Sequence, residues 1–139
     1  MQFVCNAPGG KAWFRIETEH EAETEAQLMR HSVDKFFARE LAAASEAFRP
    51  RPGAVAEQNI GRKEHIARAM PIFLTLRADD GEGLATAMLP PGGKDEPRFR
   101  IIIVGPDNSD PYVAHADAIR VLGDTFGLAL KREKCFPYG

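Results

Sequence analysis

Ala7-Pro8-Gly9-Gly10-Lys11-Ala12-Trp13-Phe14-Arg15-Ile16 is the stretch that decides how this chain is read. A Pro-Gly-Gly run between two short apolar stretches is a turn, because glycine takes positive φ without steric cost and proline fixes its own φ. Beyond it, Ala12, Phe14 and Ile16 alternate with Trp13, Arg15 and Glu17, which is the period of a strand with one apolar face. Residues 2–6 and 12–17 therefore read as a hairpin. The phrase returns as Pro91-Gly92-Gly93-Lys94 followed by Arg98-Phe99-Arg100-Ile101. Both copies lead from an apolar run through a turn into Phe-Arg-Ile, which suggests an internal ββα duplication.

Strict alternation assigns Phe14, Ile16, Phe99 and Ile101 to a core face under the helices. Trp13, Arg15, Arg98 and Arg100 then fall on the opposite face, expected to be open. Aromatic residues and arginine are enriched at binding hot spots. The planar arginine fork also suits a carboxylate or phosphate. This face is the first candidate site, for a small anionic ligand or a protein partner.

Outward from the hairpin, Thr18-Glu19-His20-Glu21 has the form of a capping box. Ala22, Ala26, Met29, Val33, Phe37, Leu41, Ala44 and Phe48 then recur at the helical period up to Pro50. That pattern predicts one helix of about 30 residues, about 45 Å long, with surface to spare for a second subunit. A homodimer is the expected assembly. Residues 54–70 carry no decisive pattern beyond a short helical stretch at 64–69. Residues 71–78 and 84–89 read as strands around the turn Asp79-Asp80-Gly81-Glu82-Gly83, and the β-branched run 98–104 reads as a central strand. A loop over 105–110 leads into a helix with Tyr112, Ile119, Leu122 and Phe126 on one face, closed by Gly127. Residues 128–136 read as an edge strand guarded by Lys131, Arg132, Glu133 and Lys134. The order ββα-βββα(β) predicts an α+β domain, an antiparallel sheet of about five or six strands with two main helices packed on one face.

The 139 residues fit a single domain, 1–139. With 18 basic and 20 acidic residues, the net charge of -2 argues against a nucleic-acid partner. A single-strand binder stacking bases beside Trp13, Arg15 and Arg100, helped by the basic run Gly61–Arg68, is kept as an alternative. No apolar stretch is long enough to cross a bilayer. The N-terminus lacks a basic leader, and two distant cysteines, Cys5 and Cys135, fit a reducing cytoplasm. Lys131, Arg132 and Lys134 beside Cys135 suggest a thiol of lowered pKa.

The four histidines have no metal-ligand spacing with the cysteines, and the glycine-lysine phrases lack the length and following helix of a phosphate loop. Asp107-Asn108-Ser109-Asp110 departs from a calcium loop, since Tyr112 stands where the sharp-turn glycine belongs. No metal and no cofactor is expected. Asp107, Asp110 and His115 form the second candidate site, where an acid–base pair or a ligand pocket would lie. The sequence supports first a non-enzymatic, homo-oligomeric ligand- or partner-binding module. A small-molecule enzyme or ligand-binding protein with its site near 105–117 is the alternative.

Overall fold

The computed structural model describes residues 1–138. Its elements are β1 (Gln2–Ala7), β2 (Lys11–Ile16), α1 (Glu19–Met29), α2 (Val33–Ala47), α3 (Val55–Ala69), β3 (Ile72–Arg77), β4 (Gly83–Leu89), β5 (Ile102–Val104) and α4 (Tyr112–Phe126). The strands form one sheet in the order β1-β2-β3-β4-β5, each antiparallel to its neighbour. The α+β class and the five-stranded antiparallel sheet are those the sequence predicts. The first turn behaves as its glycines require: Gly9 and Gly10 sit at φ 80° and 74°, and Ala7 pairs with Lys11.

The helices do not share one face. Trp13, Leu74, Leu76, Ala87 and Ile103 pack with Ala118, Ile119 and Leu122 of α4. Ile16, Phe73 and Met88 pack with Ala22, Ala26, Val33, Phe37 and Ala44 of α1 and α2. Neighbouring strand residues point to opposite faces, so the sheet is sandwiched between two helical layers. The reason lies in β3 and β4, where Ile72 to Leu76 and Ala85 to Leu89 are buried without alternation. Strands apolar on both sides need cover on both sides. Trp13, expected on an open face, is 0% exposed, and its indole Nε1–H donates to the Ala118 carbonyl at 2.8 Å.

The long helix is two. Its capping box forms as read: Thr18 Oγ1 accepts from the Glu21 amide, and Glu21 Oε1 accepts from the Thr18 amide. At Arg30 the backbone turns left-handed, φ 56°, and the amides of Arg30 and His31 both donate to the Ala26 carbonyl. α2 starts after Ser32. Val55–Ala69 form a full helix, α3, which lays Ile66 and Ala69 against the α2 side of the core.

The second copy of the turn phrase builds something different. Pro91–Gly93 make a single 3-10 turn, and β5 starts only at Ile102. Glu96 explains the delay: its carboxylate takes the backbone and guanidinium N–H groups of Arg98, and its carbonyl takes the Phe99 amide. Phe99 is consequently half-buried in a connection rather than a strand core. Residues 128–136 do not form a strand either. The Phe136 amide donates to the Ile101 carbonyl at 2.8 Å and its carbonyl accepts from the Ile103 amide at 3.4 Å, one bridge that closes the outer edge of β5.

Candidate functional site

On α1 the buried positions are Ala22, Glu25, Ala26 and Met29, the i, i+3, i+4, i+7 stripe of a packed face. One of them is a glutamate. Glu25 is 0% exposed and is linked to two buried threonines of the sheet, Thr86 directly and Thr75 through Arg77. Arg77 Nη2 donates to Glu25 Oε1 at 2.7 Å, and Arg77 Nε donates to Thr75 Oγ1 at 3.0 Å. Thr86 Oγ1 donates to Glu25 Oε2 at 2.6 Å and lies 2.8 Å from His31 Nε2. The Val33 amide donates to His31 Nδ1 at 3.3 Å.

These partners fix every proton. A carboxylate only accepts, so the Thr86 hydroxyl proton belongs to Glu25. His31 Nδ1 accepts from Val33, so Nε2 carries the proton and donates to Thr86. Burial lowers the His31 pKa, which agrees with a neutral ring, although Glu25 and Asp34 pull the other way. The His31 ring also does the work of a helix cap. Ser32 makes no side-chain cap bond, and the ring nitrogen takes the first amide of α2 in its place. The network therefore orders the α1–α2 turn over the sheet. It leaves His31 no lone pair with which to deprotonate Thr86.

Beside this network the helical layer stops short of the β5 edge and leaves a cavity of about 380 Å³. Phe73, Thr86, Met88, Ile102 and Val104 make its floor, and His31, Ser32, Val33 and Phe36 make one wall. The opposite wall is Asn108 with Phe136 and Pro137 of the chain end. The volume lies at the lower end of the roughly 300–1,000 Å³ typical of small-molecule sites. The lining is apolar apart from His31, Ser32, Thr86 and Asn108, and no acid or cationic side chain takes part in it. Two arginines stand behind the aromatic walls. The Arg39 guanidinium lies 4.8 Å from the Phe36 ring centre, and that of Arg100 lies 5.1 Å from the Phe136 ring centre.

The rim concentrates backbone strain. Arg30, Asp107 and Asn108 are the non-glycine residues at positive φ, 56°, 57° and 58°, among those described. Such conformations cost of order 1–3 kcal/mol each and cluster at functional sites. Arg30 and Asp107 hold each other by a two-pronged bond, Nε to Oδ1 at 2.8 Å and Nη2 to Oδ2 at 2.6 Å. The Arg30 fork keeps the Asp107 carboxyl below the usual carboxylate range. This bond ties the end of α1 to the loop that carries Asn108.

The residues singled out from sequence do not converge. Trp13 is core. Arg15 is half-buried on the Trp13 side of β2, opposite Leu74. Arg98 is spent on Glu96, and Arg100 lies outside the sheet against Phe136. Asp107 is held by Arg30. Asp110 is bound by the Tyr112 amide and by Arg132, and both hold its carboxyl low. His115 pairs with Lys11 Nζ at 3.0 Å, and burial together with that cation lowers its pKa. Three elements thus claim the three residues of the second candidate site. Cys135 also departs from expectation, since burial pushes its thiol up rather than down. Its neighbours Lys131, Arg132 and Lys134 are exposed.

Of the pocket residues, Asn108 and Phe136 fall in segments the sequence draws attention to. One signal was legible: Glu25, a charged residue on the apolar stripe of its helix, with Thr75 and Thr86 in strands otherwise apolar. Among the described residues, no group of three or more histidine, cysteine, aspartate or glutamate side chains is placed to hold a metal, and no helix is long and apolar enough to cross a membrane.

Fold and site together define an α+β domain with a two-sided sheet and an apolar pocket at one edge. Comparison with protein-family models, with curated proteins and with solved structures found no match.

Proposed function

We propose that this protein is a non-enzymatic binding module that holds a small, largely apolar molecule in the pocket between the α1–α2 turn, β4, β5 and the chain end. One observation carries the reading: a formed cavity of about 380 Å³ whose adjoining buried polar groups are already satisfied by one another. An open pocket of that size with apolar walls leaves hydrophobic surface in water, which an apolar ligand covers. The neutral fluorophore N-phenyl-1-naphthylamine tests it. Ile102→Phe places a ring on the floor, and the expected result is dye binding to the native protein and its loss in this variant. Equal dye binding by both proteins refutes the reading.

A second reading concerns assembly, and it rests on β1. This edge strand, Gln-Phe-Val-Cys-Asn-Ala, has neither charge nor proline, and its Phe3 is 52% exposed. Edge strands without such protection invite pairing with another chain. We infer a two-fold dimer through β1. The dimer appears in light scattering at micromolar concentration and is lost in Phe3→Lys. A monomer throughout refutes it.

A further inference from the structure

Binding and acidity meet at His31, and the inference rests on the pocket reading above. We propose that His31 is a pH switch for this pocket: the neutral ring holds the wall against which the ligand packs, and protonation of the ring releases that wall and the ligand with it.

His31, Ser32 and Val33 belong to one wall of the cavity, and the His31 ring bonds on both sides of it. Its Nδ1 accepts from the Val33 amide, the first of α2, at 3.3 Å, and its Nε2 donates to Thr86 Oγ1 at 2.8 Å. Ser32 supplies no side-chain cap of its own. Only a neutral imidazole can make both bonds, because the protonated ring carries N–H on both nitrogens and has no acceptor. A proton on Nδ1 would face the Val33 N–H, donor against donor. It would also put positive charge at the end of a helix that favours negative charge. The charged ring must leave the cap, and α2 loses the bond that ties its first residue, through His31, to Thr86 of β4. Val33 is both the capped residue and a lining residue, so the wall moves with the cap.

The charged groups around the ring do not prevent this. Glu25 of α1 is already matched by Arg77 of β3 and by the Thr86 hydroxyl. Asp107, from the loop before α4, is taken by Arg30. Asp34 of α2 favours the charged ring, while Glu23 and Lys35, which share an outer groove with His31, carry opposite charges. The residues of β4, β5 and the chain end that line the cavity are uncharged. Burial outweighs the pull of Glu25 and Asp34, so the neutral ring persists until the pH falls below the ordinary histidine range.

The test uses 2-naphthalenemethanol, a probe that stays uncharged throughout. Its Kd comes from amide shift titrations with Val33 and Ile103 as site markers, at pH values where the Trp13 indole signal is unchanged. At about one pH unit below the His31 midpoint, the affinity is expected to be roughly tenfold weaker than at about pH 8. Linkage requires the reciprocal effect. Probe at about ten times its Kd is expected to lower the His31 midpoint, read from the imidazole protons, by roughly one pH unit. His31→Gln is expected to abolish the pH dependence of binding, and His115→Gln to retain it. The switch is overturned, and the pocket reading stands, if affinity does not change with pH or if the probe leaves the His31 midpoint unmoved. The same holds if the dependence survives His31→Gln or disappears in His115→Gln. If the probe fails to shift the marker amides even with His31 neutral, both readings fail.

Discussion

Thr86→Val is the sharpest probe of the buried network. Valine has nearly the shape of threonine, so packing in β4 is preserved and the change isolates the hydroxyl. In the native protein that hydroxyl donates to Glu25 Oε2 at 2.6 Å and accepts from His31 Nε2 at 2.8 Å, with Thr86 3% exposed. Losing a hydrogen bond to a buried carboxylate costs about 1.5–3 kcal/mol. His31 is only partly buried and finds water, so its share is nearer the ~0.5–1.5 kcal/mol of an ordinary hydrogen bond. The added methyl returns about 0.8 kcal/mol. The net expectation is a loss of roughly 1.2–3.7 kcal/mol, a large part of the ~5–15 kcal/mol that holds a domain of this kind together. Urea unfolding measures it, with the slope unchanged so that the shift in midpoint reports stability. Thr125→Val, which removes a hydroxyl that bonds only the Val121 carbonyl on an exposed helix face, is the control and should be near neutral. A loss at Thr86 no larger than at Thr125 would refute the network as a source of stability. If the network is cooperative, Glu25→Gln combined with Thr86→Val costs less than the sum of the two single changes.

Trp13→Phe removes the indole bond to the Ala118 carbonyl and leaves space under α4, for an expected loss of about 2–3 kcal/mol in the same assay. Because Trp13 is the single tryptophan, native emission should be blue-shifted, and the spectrum of a solvated indole would contradict the second helical layer. Stability should also depend on pH through His31. Its folded pKa is lowered, so between that value and the ordinary value near about 6.5 the unfolded chain binds more protons. Stability is then complete above this window and is lost as pH falls through it. His115, also lowered, adds in the same direction. His31→Gln should flatten the slope of stability as pH falls below about 6.5, and an unchanged slope would show that His31 does not contribute.

Features under the control of local rules were legible from consecutive residues. Positive-φ glycines fixed the β1–β2 turn, the Thr18–Glu21 box began α1, Gly127 ended α4, and apolar strands joined by short connections implied an antiparallel α+β sheet. Alternation also separated Trp13 from Phe14 correctly. What it did not contain was the face each helix would cover, because that depends on chain direction after a break. Residues 19–48 carry one uninterrupted apolar period, yet the helix turns left-handed at Arg30, held there by Asp107 across 77 positions of sequence and by a His31 ring that bonds Thr86. No window of neighbouring residues records such contacts. The candidate site depended on the same long-range choices. Asp107, Asp110 and His115 lie close in sequence, but their partners Arg30, Arg132 and Lys11 come from three distant segments, and each acquires a separate structural bond. The pocket was assembled from residues 31–36, 73, 86–88, 102–108 and 136–137, which only the folded sheet brings around one space. Periodicity and capping are properties of consecutive residues. A cavity is a property of what fails to meet, and that is set by how distant segments pack.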